Sequence, residues 1–400
     1  MIDQVHGAKQ DIGVAAGNRT QIVVDLAAIQ HNARLIQRWS PNAKVMAVLK
    51  RNAYGMGAES IAHALSNVGI QAFAVDNVAE GIRLRDGGIE AQILVIDGDV
   101  SSNARWALEY RLTPGIPHEG LLEAYERVAK QTNHMVGVWL VYNAGFNRSG
   151  YKDLSAFRQF VVRAKSCQFL SVLGVYAHLT NSNAEWNVSW EQIHQYAKAV
   201  ATAQEVLAHS LETSIFASHG IVRWASIYPT TWVRPGLILY GENALVDDLV
   251  ERDTQVRIGE LEAAVSIRAR VTHVQRFVTF DRVGYGLRYS VKPGQTIATL
   301  SIGFGSGYPF HASDLEALVG GTRVPVFGEV GMDAMQIDVS AVPSIRVNDW
   351  VTLIGEDGDQ RISIKDIAHR ANTTPYQLMA GLRGQHVYSP TEEDSLHDGP

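Results

Sequence analysis

From about residue 20 to residue 240 the sequence repeats a single pattern: a short apolar, β-branched run, a polar turn, then a segment of helical period. The runs that read as strands are Gln21–Leu26, Lys44–Leu49, Ala72–Val75, Ile93–Ile96, Gly137–Val141, Val172–Ala177, Ser214–Ala217 and Leu237–Tyr240. Between them lie amphipathic stretches such as Leu26–Trp39, Ala58–Val68, Glu119–Gln131 and Glu191–Leu211. Strands alternating with helices imply parallel βαβ units, because each crossover helix returns the chain to the same end of the sheet. Roughly eight such units in about 230 residues is what a (β/α)8 barrel requires. An open doubly wound sheet gives a similar count, and the barrel is the preferred expectation.

After about residue 255 the texture changes. Ala263–Arg276, Thr296–Ile302, Arg323–Phe327, Met335–Val339 and Asp349–Ile354 read as strands, turns such as Lys292-Pro293-Gly294 separate them, and helical period nearly vanishes until one short segment at Ile364–Ala371. With 400 residues, 46% of them apolar and 19% charged, the chain has material for two cores. The expected organisation is an N-terminal extension at 1–19, a (β/α)8 TIM-like barrel at 20–254, a C-terminal mostly-β domain at 255–388, and an acidic, disordered tail at 389–400.

The formal charge of -6, with no basic run, gives nothing to attract nucleic acid or an anionic membrane. Cys167 is the only cysteine, so there is no internal disulfide or thiolate cage, and a reducing cytoplasm is the expected location. The first twenty residues lack the apolar core of a signal peptide, and no window holds the about eighteen apolar residues that span a bilayer. Fourteen histidines show no metal-ligand spacing, and no catalytic metal is expected.

The run Val48-Leu49-Lys50-Arg51-Asn52-Ala53-Tyr54-Gly55-Met56-Gly57 ends an apolar strand on a lysine and breaks at once into a turn. On a barrel that puts Lys50 at the C-terminal rim, where reactive groups gather. Partial desolvation there suits an amine for Schiff-base chemistry. An arbitrary strand-end lysine more often snorkels into solvent.

The stretch is similar to the lysine motif of the alanine racemases, a family that holds pyridoxal phosphate on K-x-N-A-Y-G-H-G. Other segments resemble that family in the same order: Glu80 to Ile89, Gly145-Phe-Asn-Arg148-Ser-Gly150, Gly174-Val-Tyr-Ala-His178, Arg234-Pro-Gly236-Leu237-Ile-Leu-Tyr240-Gly241, Gly284-Tyr285-Gly286, Gly303 to Pro309 and Gly331-Met332-Asp333. The resemblance covers roughly residues 20 to 388. It implies a cofactor, pyridoxal 5'-phosphate, whose ring draws electrons from the bonds at Cα of an amino acid. By the same pattern Lys50 forms the Schiff base, Arg148 approaches the ring hydroxyl, His178 stacks on the ring and Arg234 faces the ring nitrogen. Tyr54, Gly236 and Leu237 hold the phosphate with help from Ser218 or His219. The family pattern further implies a homodimer in which Tyr285, Phe304, Met332 and Asp333 complete the partner's site.

Against that pattern several positions differ. Racemisation needs an acid and a base on opposite faces of Cα, and the tyrosine that serves the second face falls on Phe304, which carries no proton. The usual lysine before the T-G-M motif falls on Val141, the Asn-Ser of the phosphate side on Ser218-His219, and the His of Y-G-H-G on Met56. Two enzymatic readings follow. One is a racemase or epimerase of altered specificity, with the second proton relayed by His219, Tyr285, Tyr308 or water. The other is a single-base aldolase, transaldolase or lyase, with His219 taking a β-hydroxyl proton. A non-catalytic cofactor-binding homologue is the third alternative.

Overall fold

The first strand sorts differently from the barrel expectation. In the computed structural model, which describes residues 19–391 except 97, 181, 183–185, 246–250 and 313, β1 (Thr20–Asp25) buries Ile22 and Val24 while Gln21, Val23 and Asp25 stay half-exposed. That alternation suits a sheet with one covered face, whereas parallel barrel strands are buried on both. Accordingly, β1 pairs antiparallel with Val265–Ala269 and parallel with Gln385–Ser389, so it belongs with the C-terminal β unit. The barrel unit is Leu26–Ala264, and β1 groups with Val265–Ser389. Of the expected extension and tail, residues 1–18 and 392–400 lie outside the described residues, and Ser389 ends a strand.

In the barrel unit, β2 (Lys44–Val45) and β3 (Ala47–Val48) are halves of one strand split at Met46. They are followed by β4 (Ala72–Val75), β5 (Gln92–Val95), β6 (Thr113–Ile116), β7 (Val136–Val141), β8 (Leu170–Tyr176), β9 (Glu212–Ala217) and β10 (Trp232–Arg234). All pair in parallel in the order β2-β10-β9-β8-β7-β6-β5-β4-β3. Because the first and last members are one strand, the sheet closes into eight staves. Met46 N–H to Val233 O at 2.9 Å and Val48 N–H to Pro235 O at 2.8 Å seal the join.

One strand is added to those expected and one expected strand is replaced. β6 reads Thr-Pro-Gly-Ile, a turn by composition, yet Gly115 is needed because a β-carbon there would stand 2.4 Å from the Tyr176 hydroxyl inside the barrel. Leu237–Tyr240 is a buried 3-10 turn and the eighth stave is Trp232–Arg234, since Pro235 offers no N–H with which to continue the ladder. Arg85, from the Glu80 motif, is a structural fastener: its guanidinium donates to the carbonyls of Tyr110, Ile89, Ala91 and Arg111.

The β unit is built on β11 (Val265–Arg276), followed by the hairpin β12 (Asp281–Val283) and β13 (Tyr289–Val291), then β14 (Thr296–Leu300), β15 (Glu316–Val319), β16 (Thr322–Phe327), β17 (Met335–Asp338), β18 (Trp350–Asp357), β19 (Gln360–Ile362) and β20 (Gln385–Ser389). The ring β11-β14-β17-β16-β15-β18 closes on itself through antiparallel pairing of β18 with β11. Two short helices follow, Ile364–Arg370 and Pro375–Gly381, where the sequence suggests one. Pro375 opens the second, and the Thr374 hydroxyl accepts the Gln377 N–H. Among the described residues no helix is long and apolar enough to cross a membrane.

Candidate active site

Parallel staves all end at one rim, and five of those ends carry the residues singled out in the barrel unit. Lys50 follows β3, Arg148 lies in the loop after β7, and His178 stands two residues past β8. Ser218 and His219 follow β9, and Gly236 and Leu237 follow Arg234, the last residue of β10.

Beyond Lys50 the backbone turns the wrong way for L-residues. Arg51, Asn52, Ala53 and Tyr54 have φ of 55, 55, 55 and 57°, a left-handed turn before Gly55. Each such residue costs about 1–2 kcal/mol. The turn is held by Ala53 N–H to Leu49 O and Gly55 N–H to Arg51 O, both 2.8 Å, and by the Tyr240 hydroxyl, which donates to Ala53 O at 3.0 Å. The reversal carries Tyr54 inward, where it is buried edge-on to Tyr240 with ring centroids 5.8 Å apart.

Tyr54 meets a second piece of backbone. The Ser218 hydroxyl accepts N–H groups from Gly236 at 3.0 Å and Ile238 at 3.5 Å, fixing the start of the 3-10 turn. The Tyr54 hydroxyl lies so close to Gly236 that only a hydrogen fits on that α-carbon. Tyr54, Ser218, Gly236 and Leu237 thus come together as a small polar cradle.

The rest of the rim is cationic. Arg234 is buried, donates from Nη2 to Ala177 O at 2.6 Å and lies over the Tyr176 ring. Arg148 is exposed and lies over Phe146, whose ring meets His178 edge-on at 5.2 Å. Burial first, then the charges of Arg234, Arg148 and Lys50, push the His178 imidazole down to about 3, so it is neutral near pH 7. Three cations acting on one neutral ring, beside a cradle of hydroxyl and amide groups, fit a flat anion with a phosphate at one end.

His219 faces differently. Its Nε2 accepts the Ala244 N–H at 3.1 Å, and burial followed by Arg223 pushes it down to about 4. Phe146 and Tyr240 are contributors that sequence reasoning did not assign; an aromatic two residues before Arg148 was the available signal for the first.

The residues singled out in the β unit are on its surface. Phe304 is 40% exposed, Met332 57% and Tyr285 73%, so all three are accessible on this chain, as is Asp333. Phe304 N–H to Gly331 O at 2.9 Å and Gly305 N–H to Met332 O at 2.8 Å hold the Phe304 and Met332-Asp333 segments side by side. Tyr308 is the opposite case: it is buried, its hydroxyl has no hydrogen-bond partner among the described residues, and burial raises its pKa. A proton relay through Tyr308 does not fit that burial. Among the described residues no cluster of three or more His, Cys, Asp or Glu side chains could hold a metal ion.

Comparison with known proteins gives one consistent result. Residues 24–244 match the family "Alanine racemase, N-terminal domain" and residues 264–388 match "Alanine racemase, C-terminal domain". An alanine racemase of Vibrio cholerae is 30% identical over 369 residues, 90% of this chain and 94% of the relative. The structure of an alanine racemase from Clostridium difficile 630 superimposes with a TM-score of 0.86 at 23% identity, over 93% of this chain and 96% of that one. A histidine racemase from Leuconostoc mesenteroides superimposes with a TM-score of 0.82 at 26% identity, over 94% and 99%. With both domains matched in order along nearly the whole sequence, the chain belongs to the alanine racemase family.

Proposed function

We propose that the protein is a pyridoxal phosphate-dependent enzyme acting at Cα of a free amino acid, an isomerase of the racemase or epimerase kind with altered specificity. The observation that carries this reading is the placement of Lys50, Arg148, His178 and Arg234 at strand ends on one barrel rim, beside the close approach of Tyr54 to Gly236. When bound, pyridoxal phosphate supplies an electron sink for the bonds at Cα.

The chain's own residues divide the remaining work. Lys50 is the covalent anchor and moves the Cα proton on one face. Arg234, already bonded to Ala177 O, would hold the ring nitrogen as a donor that does not give up its proton, which would limit electron withdrawal and disfavour side reactions. His178 would lie against the ring as a neutral imidazole. Arg148 would hold the ring hydroxyl, while Tyr54 and the backbone at Gly236 and Leu237 would receive the phosphate. Because Nε2 of His219 is engaged with Ala244, His219 is assigned to holding the segment after the 3-10 turn. A head-to-tail homodimer would bring Tyr285, Phe304, Met332 and Asp333 to the partner's site.

Substrate choice is open to side chains other than methyl, as the name of the Leuconostoc histidine racemase illustrates for a similar structure. One observation favours a second reading. The position expected to supply the second proton is Phe304, and Tyr308 is buried, so Lys50 could be the only base; such a site suits aldol cleavage, transaldol chemistry or another lyase reaction.

Proton NMR in D2O with separate D and L forms of alanine, serine, threonine and histidine decides between them. Loss of the α-proton from both enantiomers with scrambled chirality supports the racemase. Exchange from one enantiomer only, or aldehyde released from threonine, replaces it with the single-base reading. No exchange from any of them counts against both.

A further inference from the structure

Glu80 joins the lysine turn to the neighbouring stave. It is the third residue of the helix Val78–Asp86, whose cap Asn77 accepts the Glu80 N–H at 3.0 Å. Glu80 is 6% exposed, and its two carboxylate oxygens serve different elements. Oε1 accepts the Arg51 N–H at 2.8 Å and Oε2 accepts the Asp76 N–H at 3.0 Å. The first N–H belongs to the peptide joining Lys50 to Arg51, the second to the peptide joining the end of β4 to Asp76.

A glutamate at this helix position ordinarily folds back onto the N–H of its own cap residue. Glu80 instead reaches past the cap to Asp76 and across to a residue on another stave. Arg51 N–H opens the left-handed turn and, like the first amides of any helical turn, has no acceptor within it. An ionised carboxylate is the strongest ordinary acceptor for such a group. The exposed Arg51–Asp76 ion pair at 3.3 Å links the same two residues at the surface, where it adds little.

We propose that Glu80 is a positioning residue for Lys50: by fixing the Lys50–Arg51 peptide against the end of β4 it aims the Lys50 side chain before any cofactor arrives. This rests on the reading of Lys50 as the covalent anchor. Glu80 itself touches neither cofactor nor substrate in this scheme and moves no proton.

The test compares the affinity of the protein for pyridoxal 5'-phosphate with that for pyridoxine 5'-phosphate, which keeps ring and phosphate but has an alcohol in place of the aldehyde. The ratio of the two measures the bond to Lys50 separately from the phosphate cradle. Lys50→Ala should bind both alike, and a wild-type protein with no preference for the aldehyde overturns the Lys50 reading and this proposal together. With Glu80→Gln the preference should fall by about tenfold or more, the scale of one lost charge-assisted hydrogen bond, while binding of the alcohol hardly changes. Glu80→Gln should retain more of the preference than Glu80→Ala, because one carbonyl oxygen can still accept. An unchanged preference with only a lower melting temperature means that Glu80 merely stabilises the fold, and overturns the proposal. If Glu80→Gln does not fold, Glu80→Asp, which keeps the charge on a shorter arm, carries the same comparison with the same two outcomes.

Discussion

A β-carbon built on Gly236 would stand 2.2 Å from the hydroxyl oxygen of Tyr54, so the phenol occupies the space that any other residue at position 236 would need. The two come from opposite ends of the barrel unit's sequence, and the left-handed turn after Lys50 is what delivers the phenol there. Gly236→Ala should therefore displace Tyr54 and weaken retention of pyridoxal phosphate by about tenfold or more, the scale of one charge-assisted hydrogen bond. An absorbance titration reads this directly. Tyr54→Phe, which removes the same hydroxyl without moving the ring, should cost about as much.

Lys50→Ala should abolish the visible absorption band of the cofactor-loaded protein while leaving the fold intact. The spectrum and a melting curve together check this. A band of unchanged intensity would sink the assignment of Lys50.

Acid should destabilise the barrel unit through two of its histidines. His178 and His219 are held down to about 3 and about 4, against an ordinary 6.5, so the unfolded chain binds protons that the folded chain refuses. Their contribution to stability is fully present above the ordinary value and is lost as pH falls from about 6.5 towards those folded values. Urea midpoints measured from pH 7 to pH 4 should decline in that window, and His219→Gln, whose amide oxygen can still accept the Ala244 N–H, should flatten the decline.

Phe304→Tyr should raise racemisation of alanine, by roughly a hundredfold if proton donation on the second face is the missing element. Chiral chromatography of the product measures it. No gain would mean that the shape of the pocket, and not this one proton, excludes alanine.

The barrel was legible because its staves are buried on both faces and read as unbroken apolar runs, of which Ala72–Val75 is the plainest. β1 misled for the same reason: Ile22, Val23 and Val24 look like a stave, and only the half-exposure of Val23 separates them from one. Pro114-Gly115 concealed a strand because the tight approach of Tyr176 that demands the glycine comes from a different stave. In the candidate site, Lys50, Arg148, His178 and Arg234 stand out in the sequence as motif positions, and the structure places them at strand ends of one rim. The left-handed run was not legible, since Arg51, Asn52, Ala53 and Tyr54 are ordinary L-residues whose φ values are imposed by Tyr240, Leu49 and Glu80. Nor does any local signal show that Glu80 is buried.

The placement of β1 has a consequence for synthesis. Thr20–Asp25 leaves the ribosome ahead of the entire barrel, yet its hydrogen-bonding partners are Val265–Ala269 and Gln385–Ser389. At about 5–20 residues per second the strand waits tens of seconds for the first of them, an unpaired edge on a nascent chain. The barrel unit is in effect an insertion inside the β unit, and its own sheet pairs only among strands between Lys44 and Arg234. A chain that stops near residue 264 could own every barrel residue described above and still carry one strand with nothing to pair with.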